Sequence, residues 1–160
     1  MAQNHTYMAL PDIFSKDVSQ AIIGRIQQLT PATQAQWGKM NVSQMLAHCC
    51  VTYEYIYEES KYKKPAGFMK LMLKYLVKPM VTNEKPYKQG SATAPDFIIA
   101  DQRDFAKEQS RLIDYIGRVQ AEGRSKFEGR ESHSFGVLTA TGWNNMFYKH
   151  LDHHLRQFGV

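Results

Sequence analysis

Near the end of the chain, in YKHLDHHLRQF, His150 and His154 stand four residues apart. At about 100° per residue they lie about 40° apart on one helix face, one turn above the other. With His150 as the reference direction, Trp143, Met146, Phe147, His154 and Phe158 all fall within about 80° of it. Asn145, Lys149, Asp152 and Arg156 fall on the far side. The helix therefore turns an aromatic stripe toward the core and carries both histidines in its middle. A lone inward histidine is ordinarily a satisfied core residue. Two on adjacent turns present four ring nitrogens, and all of them need partners.

A third histidine sits in the same kind of place. Asn41 and Gln44 have capping-box spacing and open a predicted helix that runs to about Glu59. On it Met45, His48, Thr52, Tyr55 and Ile56 form the inward stripe, while Ser43, Cys50 and Glu54 point away. If the two helices are neighbours, His48, His150 and His154 form one site for a divalent metal ion. Three imidazoles can hold zinc and leave a fourth position open for water or substrate. Imidazole also suits nickel, copper and iron, so the ligands do not select the metal. Each ring must be neutral to bind, so occupancy is expected to fall as pH drops through and below about 6.5. Gln44 and Tyr55 are the expected outer partners of the rings. His153, at the edge of its stripe, is expected at the surface or outside the ligand set.

The remaining pattern is almost wholly helical. Ser15 can cap a helix with Val18, Ile22, Ile26 and Leu29 on one face, stopped by Thr30-Pro31. A basic helix is predicted from about Ala66 to Pro79, then an extended loop from Val81 to Ala100, where only Phe97 to Ala100 offers a short local pairing segment. A long helix from Asp101 to about Glu122 carries Phe105, Leu112, Ile116 and Val119 and stops at Gly123. A loop with Phe135-Gly136 leads to Thr139 or Thr141, which cap the last helix. The fold class that follows is all-α. One domain over residues 1–160 forms a four-helix bundle, with an additional short basic helix and a long irregular connection between the second and third long helices.

Charge is distributed unevenly. Residues 61–88 hold eight lysines and one glutamate, a local +7 against +5 for the whole chain, so the remainder carries −2. Lys70, Lys74 and Lys78 recur every four residues beside Phe68, Leu71, Met72, Tyr75 and Leu76. The segment suits an anionic membrane surface or a partner, but the favoured reading is a helix covering the bundle with a lysine-lined solvent face. Part of its broad apolar arc is expected to bury against a second subunit, making a homodimer. Nucleic acid is not expected as a partner, because the basic run lacks arginine and an aromatic–basic platform. Cys49 and Cys50, the chain's two cysteines, point roughly 100° apart on a helix and are poor disulfide partners, which fits a reducing cytoplasm. The start of the sequence has no signal-peptide pattern, and no run of about 20 apolar residues predicts a membrane span.

WGKMNVSQMLAHC (Trp37–Cys49), FGVLT (Phe135–Thr139) and YKHLDHHLRQFGV (Tyr148–Val160) together resemble the DinB/YfiT-like superfamily, closest to an uncharacterised DinB-like branch. The resemblance spans nearly the whole chain. It implies a four-helix bundle, commonly homodimeric, and a three-histidine divalent-metal site at His48, His150 and His154. It also implies a function class, since some relatives are thiol-dependent transferases and isomerases that use low-molecular-weight thiols. The expectations are then a metal-dependent transferase moving such a thiol to an electrophilic small molecule, a metal-dependent hydrolase, or a non-catalytic metal- or ligand-binding bundle with a stress or sensor role. The fold alone does not choose among them.

Overall fold

The computed structural model describes residues 8–160. Chain order is α1 (Lys16–Gln27), α2 (Val42–Tyr57), α3 (Gly67–Met72), α4 (Lys78–Thr82), α5 (Phe105–Glu122), α6 (Arg124–Phe127) and α7 (Ala140–Gln157). A small antiparallel hairpin, β1 (Glu131–Ser132) and β2 (Gly136–Val137), lies between α6 and α7. The architecture is all-α. α1 and α2 each pack on both α5 and α7, so the four long helices close in the order α1–α5–α2–α7. Their shared core holds Ile26, Met45, Leu46, Leu112, Ile116, Phe147, Leu151 and Leu155, all essentially inaccessible to water.

Local chemistry sets the helix starts. Ser15 accepts a bond from Val18 N at the head of α1. Asn41 Oδ1 accepts from Gln44 N at 2.9 Å while Asn41 N donates to Gln44 Oε1 at 3.0 Å, so the capping box of α2 forms as expected. Thr139, rather than Thr141, caps α7. α5 begins later than Asp101: Asp104 is its cap, accepting from Lys107 N at 2.7 Å. Gly123, at φ 75°, ends α5 in a conformation that strains any residue with a Cβ. The chain then turns at once into α6, whose Phe127 is buried with its ring 5.5 Å from Trp143 and 5.6 Å from Phe147.

Two expectations about helix faces need correction. Cys50 and Glu54 do not point to solvent; both are buried. α2 lies between α5 and α7 and so buries two faces, and Glu54 is neutralised in place by Arg111 and Lys61 with Tyr62. Asn145 and Lys149 on the far side of α7 are buried as well, because α4 packs there.

The basic helix extends further than predicted and buries less. It runs from Gly67 to Thr82 with a π turn at Leu73–Val77. Pro79 explains the turn, since it lacks the N–H for the carbonyl four residues back and crowds that carbonyl, and a widened turn relieves both. The end of the helix covers α7, but Phe68, Met69, Leu71, Tyr75, Leu76 and Met80 remain exposed. Residues 83–94 are irregular, as expected, whereas Pro95–Phe97 is a short 3-10 turn and pairs with no strand. The hairpin was not legible: two residues per strand are too few to alternate, and its turn is held by Ser132, whose Oγ accepts from Phe135 N and donates to Gly136 O. Among the described residues, no helix is long and apolar enough to cross a membrane.

Candidate metal centre

α2 and α7 pack side by side and bring His48, His150 and His154 together, with one nitrogen from each within 4.8 Å of the others. His48 Nε2 lies 3.0 Å from His150 Nε2, and ring centroids are 4.5 Å apart for His48–His154 and 4.8 Å for His150–His154. His48 and His154 are buried and His150 is partly buried.

The other nitrogen of every ring is held from behind. His48 Nδ1 bonds Phe97 O at 2.8 Å, His150 Nδ1 bonds Thr52 Oγ1 at 3.1 Å, and His154 Nδ1 bonds Gln157 Oε1 at 2.8 Å. Two of these bonds fix the tautomer. Phe97 O can only accept, so His48 carries its proton on Nδ1 and a lone pair on Nε2. Gln157 Nε2 donates to Trp37 O at 2.7 Å, which leaves Oε1 facing His154 as an acceptor. His154 is therefore also protonated on Nδ1. Thr52 can donate or accept. Without an ion, His150 satisfies the short contact by donating from Nε2 to His48 while Thr52 donates to its Nδ1. With all three lone pairs turned inward, the His150 proton moves to Nδ1 and the Thr52 hydroxyl turns to accept it.

This donor set fits a divalent ion. Two imidazoles on one tetrahedral zinc, at about 2.0–2.1 Å each, have nitrogens about 3.3 Å apart, close to the 3.0 Å found here. Outer hydrogen bonds of this kind orient metal-binding imidazoles and raise their basicity. Burial also keeps the rings neutral. It is the main cause lowering His48, with a smaller opposing effect from the Phe97 carbonyl. It lowers His150 well below the usual range, helped by the neighbouring His154 and His48. His154 is pushed down to about 3, again chiefly by burial. Proton competition for the site therefore sets in below the ordinary value of about 6.5 assumed from the sequence.

The outer partners differ from those expected. Gln44 is occupied by its capping box and by Asp101 O. Tyr55 acts one step removed: its hydroxyl donates to Asp96 Oδ2 at 2.8 Å, in the turn that presents Phe97 O to His48. Gln157 did carry a signal, as a hydrogen-bonding residue three positions after His154, and Thr52 carried one as a hydroxyl on the inward stripe of α2, where it meets His150 across the helix pair. A backbone carbonyl such as Phe97 O leaves none. His153 stays out of the ligand group, its ring edge-on to Trp37 at 5.9 Å and to Tyr87 at 5.8 Å. It lines a cavity of about 280 Å³ with Tyr87, Lys149, Asp152 and Arg156, on the face of α7 turned away from His150. Cys49 and Cys50 are buried free thiols, Cys49 raised well above its usual value and Cys50 to about 12, both mainly by burial. Neither supplies a thiolate near neutral pH.

Fold and site together define a helical bundle with a three-imidazole centre capable of holding a metal ion. The chain belongs to the family described as "Protein of unknown function (DUF1569)", whose model matches residues 14–159. No curated protein and no solved structure matches it.

Proposed function

We propose that this protein is a divalent-metal-dependent enzyme that activates a small nucleophile at His48, His150 and His154, with transfer of a low-molecular-weight thiol to an electrophile ahead of hydrolysis. One observation carries the metal part of this reading: each ring has its Nδ1 bonded from behind, and on the inner side the imidazoles meet one another, His48 and His150 through their Nε2 atoms at 3.0 Å. A divalent ion held by three neutral ligands keeps its charge uncompensated, and it supplies Lewis acidity that lowers the pKa of a thiol or water beside it. The protein's part is to hold the rings neutral and aimed inward, and burial together with Phe97, Thr52 and Gln157 does that. The preference for thiol transfer comes from the DinB/YfiT-like resemblance of the histidine blocks. It agrees with the state of Cys49 and Cys50, which are protonated and enclosed, so a transferred thiol has to come from outside.

The test is elemental analysis of the purified protein followed by turnover with a panel of low-molecular-weight thiols and electrophiles, and with ester and amide substrates. The expected result is about one transition-metal ion per chain and thiol consumption that stops on chelation and returns on metal re-addition. Activity in metal-free protein would overturn the metal-centred reading. Tight metal binding with no turnover of any substrate would move the assignment to a non-catalytic metal-binding bundle.

A further inference from the structure

The helix from Gly67 to Thr82 is fixed at one end and uncovered at the other. At its root Lys149 Nζ donates to Met80 O and Asn83 O, both at 2.8 Å, and Asn145 Nδ2 donates to Thr82 O at 2.8 Å. Lys78 Nζ donates to Val137 O, tying the helix to the hairpin as well. Toward the other end, α3 packs mainly on its own continuation. Phe68 is 82% exposed, Leu76 70% and Tyr75 65%, with Leu71 and Met69 also more than half exposed. Contiguous apolar surface of this kind marks a contact with something else.

Charge identifies the contact. Residues 66–80 contain Lys70, Lys74 and Lys78 and no acidic residue. Lys70 and Lys74 are exposed and make no ion pair among the described residues. A second copy seated on this face would bring the same lysines against each other. A bilayer with anionic headgroups offers both complements at once: phosphates for the ammonium groups and an apolar layer for the aromatic and aliphatic side chains. Lysine stems are long enough to leave their charge among the headgroups while neighbouring side chains go deeper.

We propose that the helix at residues 67–80 docks the protein on anionic lipid surfaces. Phe68, Leu71, Tyr75 and Leu76 enter the boundary between headgroups and acyl chains, and Lys70 and Lys74 lie among the phosphates. The proposal is independent of what the histidine centre does.

The test is sedimentation of the full chain with vesicles of equimolar phosphatidylglycerol and phosphatidylcholine, and with phosphatidylcholine alone, at low and high salt. Binding is expected to the anionic vesicles only and to weaken with salt. Lys70→Gln and Lys74→Gln should each reduce it about five-fold. Phe68→Ser with Leu76→Ser should reduce it at least as much while leaving the circular dichroism unchanged, because those side chains lie outside the core. Absence of binding to anionic vesicles at low salt would overturn the proposal. So would binding indifferent to Phe68→Ser with Leu76→Ser, since that is adsorption by charge alone. A dimer in light scattering that Leu76→Ser dissolves, without vesicle binding, would give the face to a second copy instead.

Discussion

On one face of α7 the buried polar groups are complete. Lys149 directs its ammonium to Met80 O, Asn83 O and Asn83 Oδ1, and Asn145 donates to Thr82 O. On the opposite face His150 and His154 are bonded from behind at Nδ1, and on the inner side His150 Nε2 has only another imidazole, His48, as its partner at 3.0 Å, with one nitrogen of His154 within 4.8 Å of both. Both faces enclose polar side chains, so burial does not distinguish them. What separates structure from site is the chemistry of the partners: the Lys149 ammonium is met by oxygens that accept its protons, whereas three imidazoles face one another and can turn three lone pairs to one point once the His150 proton moves to Nδ1.

Adjacent substitutions give the largest test of that contrast. His150→Ala should lower metal affinity at least about 100-fold by removing a ligand, with helical circular dichroism retained. Lys149→Met, one residue earlier, should leave metal stoichiometry unchanged but cost about 1–3 kcal/mol, because three oxygens at the root of the basic helix lose their donor. Metal content by elemental analysis and Tm by calorimetry read the two effects separately. Metal loss in Lys149→Met equal to that in His150→Ala would erase the distinction between the faces.

Acid titration of the metal-free protein comes next. Burial lowers the histidines in the folded state, so the unfolded chain takes up protons first as pH falls. Stability is unaffected above about pH 6.5 and declines below it until the folded pKa is reached. For His154, with a folded value of about 3, the loss at pH 5 is about 2 kcal/mol. His154→Gln should flatten that part of the pH–stability curve, as measured by urea unfolding. An unchanged slope would show that His154 is not held neutral. Thr52→Val is a smaller change. It keeps the shape of the side chain but removes the hydroxyl that stabilises either tautomer of His150, so metal affinity should fall about ten-fold at unchanged stoichiometry.

Much of this contrast was legible before folding, though unevenly. His48, His150 and His154 could be placed because each lies in an apolar stripe of a long helix, and periodicity reports that directly. The opposite face of α7 misled, since Asn145 and Lys149 have the composition of a solvated surface. Their partners are backbone carbonyls at Met80, Thr82 and Asn83, which no side-chain pattern encodes. Cys50 and Glu54 mislead for a related reason: periodicity predicts a single inward stripe for α2, whereas the helix buries two faces. Lysine spacing and the apolar arc of residues 66–80 were plain in the sequence. That the arc stays uncovered depends on where α7 and the hairpin fasten the root of the helix, a tertiary fact.

The smallest expected effect reaches the site through two intermediates. The Tyr55 hydroxyl donates to Asp96 Oδ2, and Asp96 lies beside Phe97 in the turn whose carbonyl holds His48 Nδ1. Tyr55→Phe removes the hydroxyl but keeps the ring, which lies 5.5 Å from Phe97 and stacks on His133 at 4.1 Å. The turn keeps its own bond from Phe97 N to Ala94 O, so it should loosen rather than unfold. Metal affinity should therefore drop only about two- to five-fold, less than for Thr52→Val, and with the Tyr55–Asp96 bond exposed the stability change should stay below about 1 kcal/mol. Asp96→Ala should have the same effect, and the double variant no more than either single, because both cut one link. Competition for zinc against a chromophoric chelator measures all three proteins. Additive losses would mean that Tyr55 and Asp96 influence the histidines separately, and the path through Phe97 would be wrong.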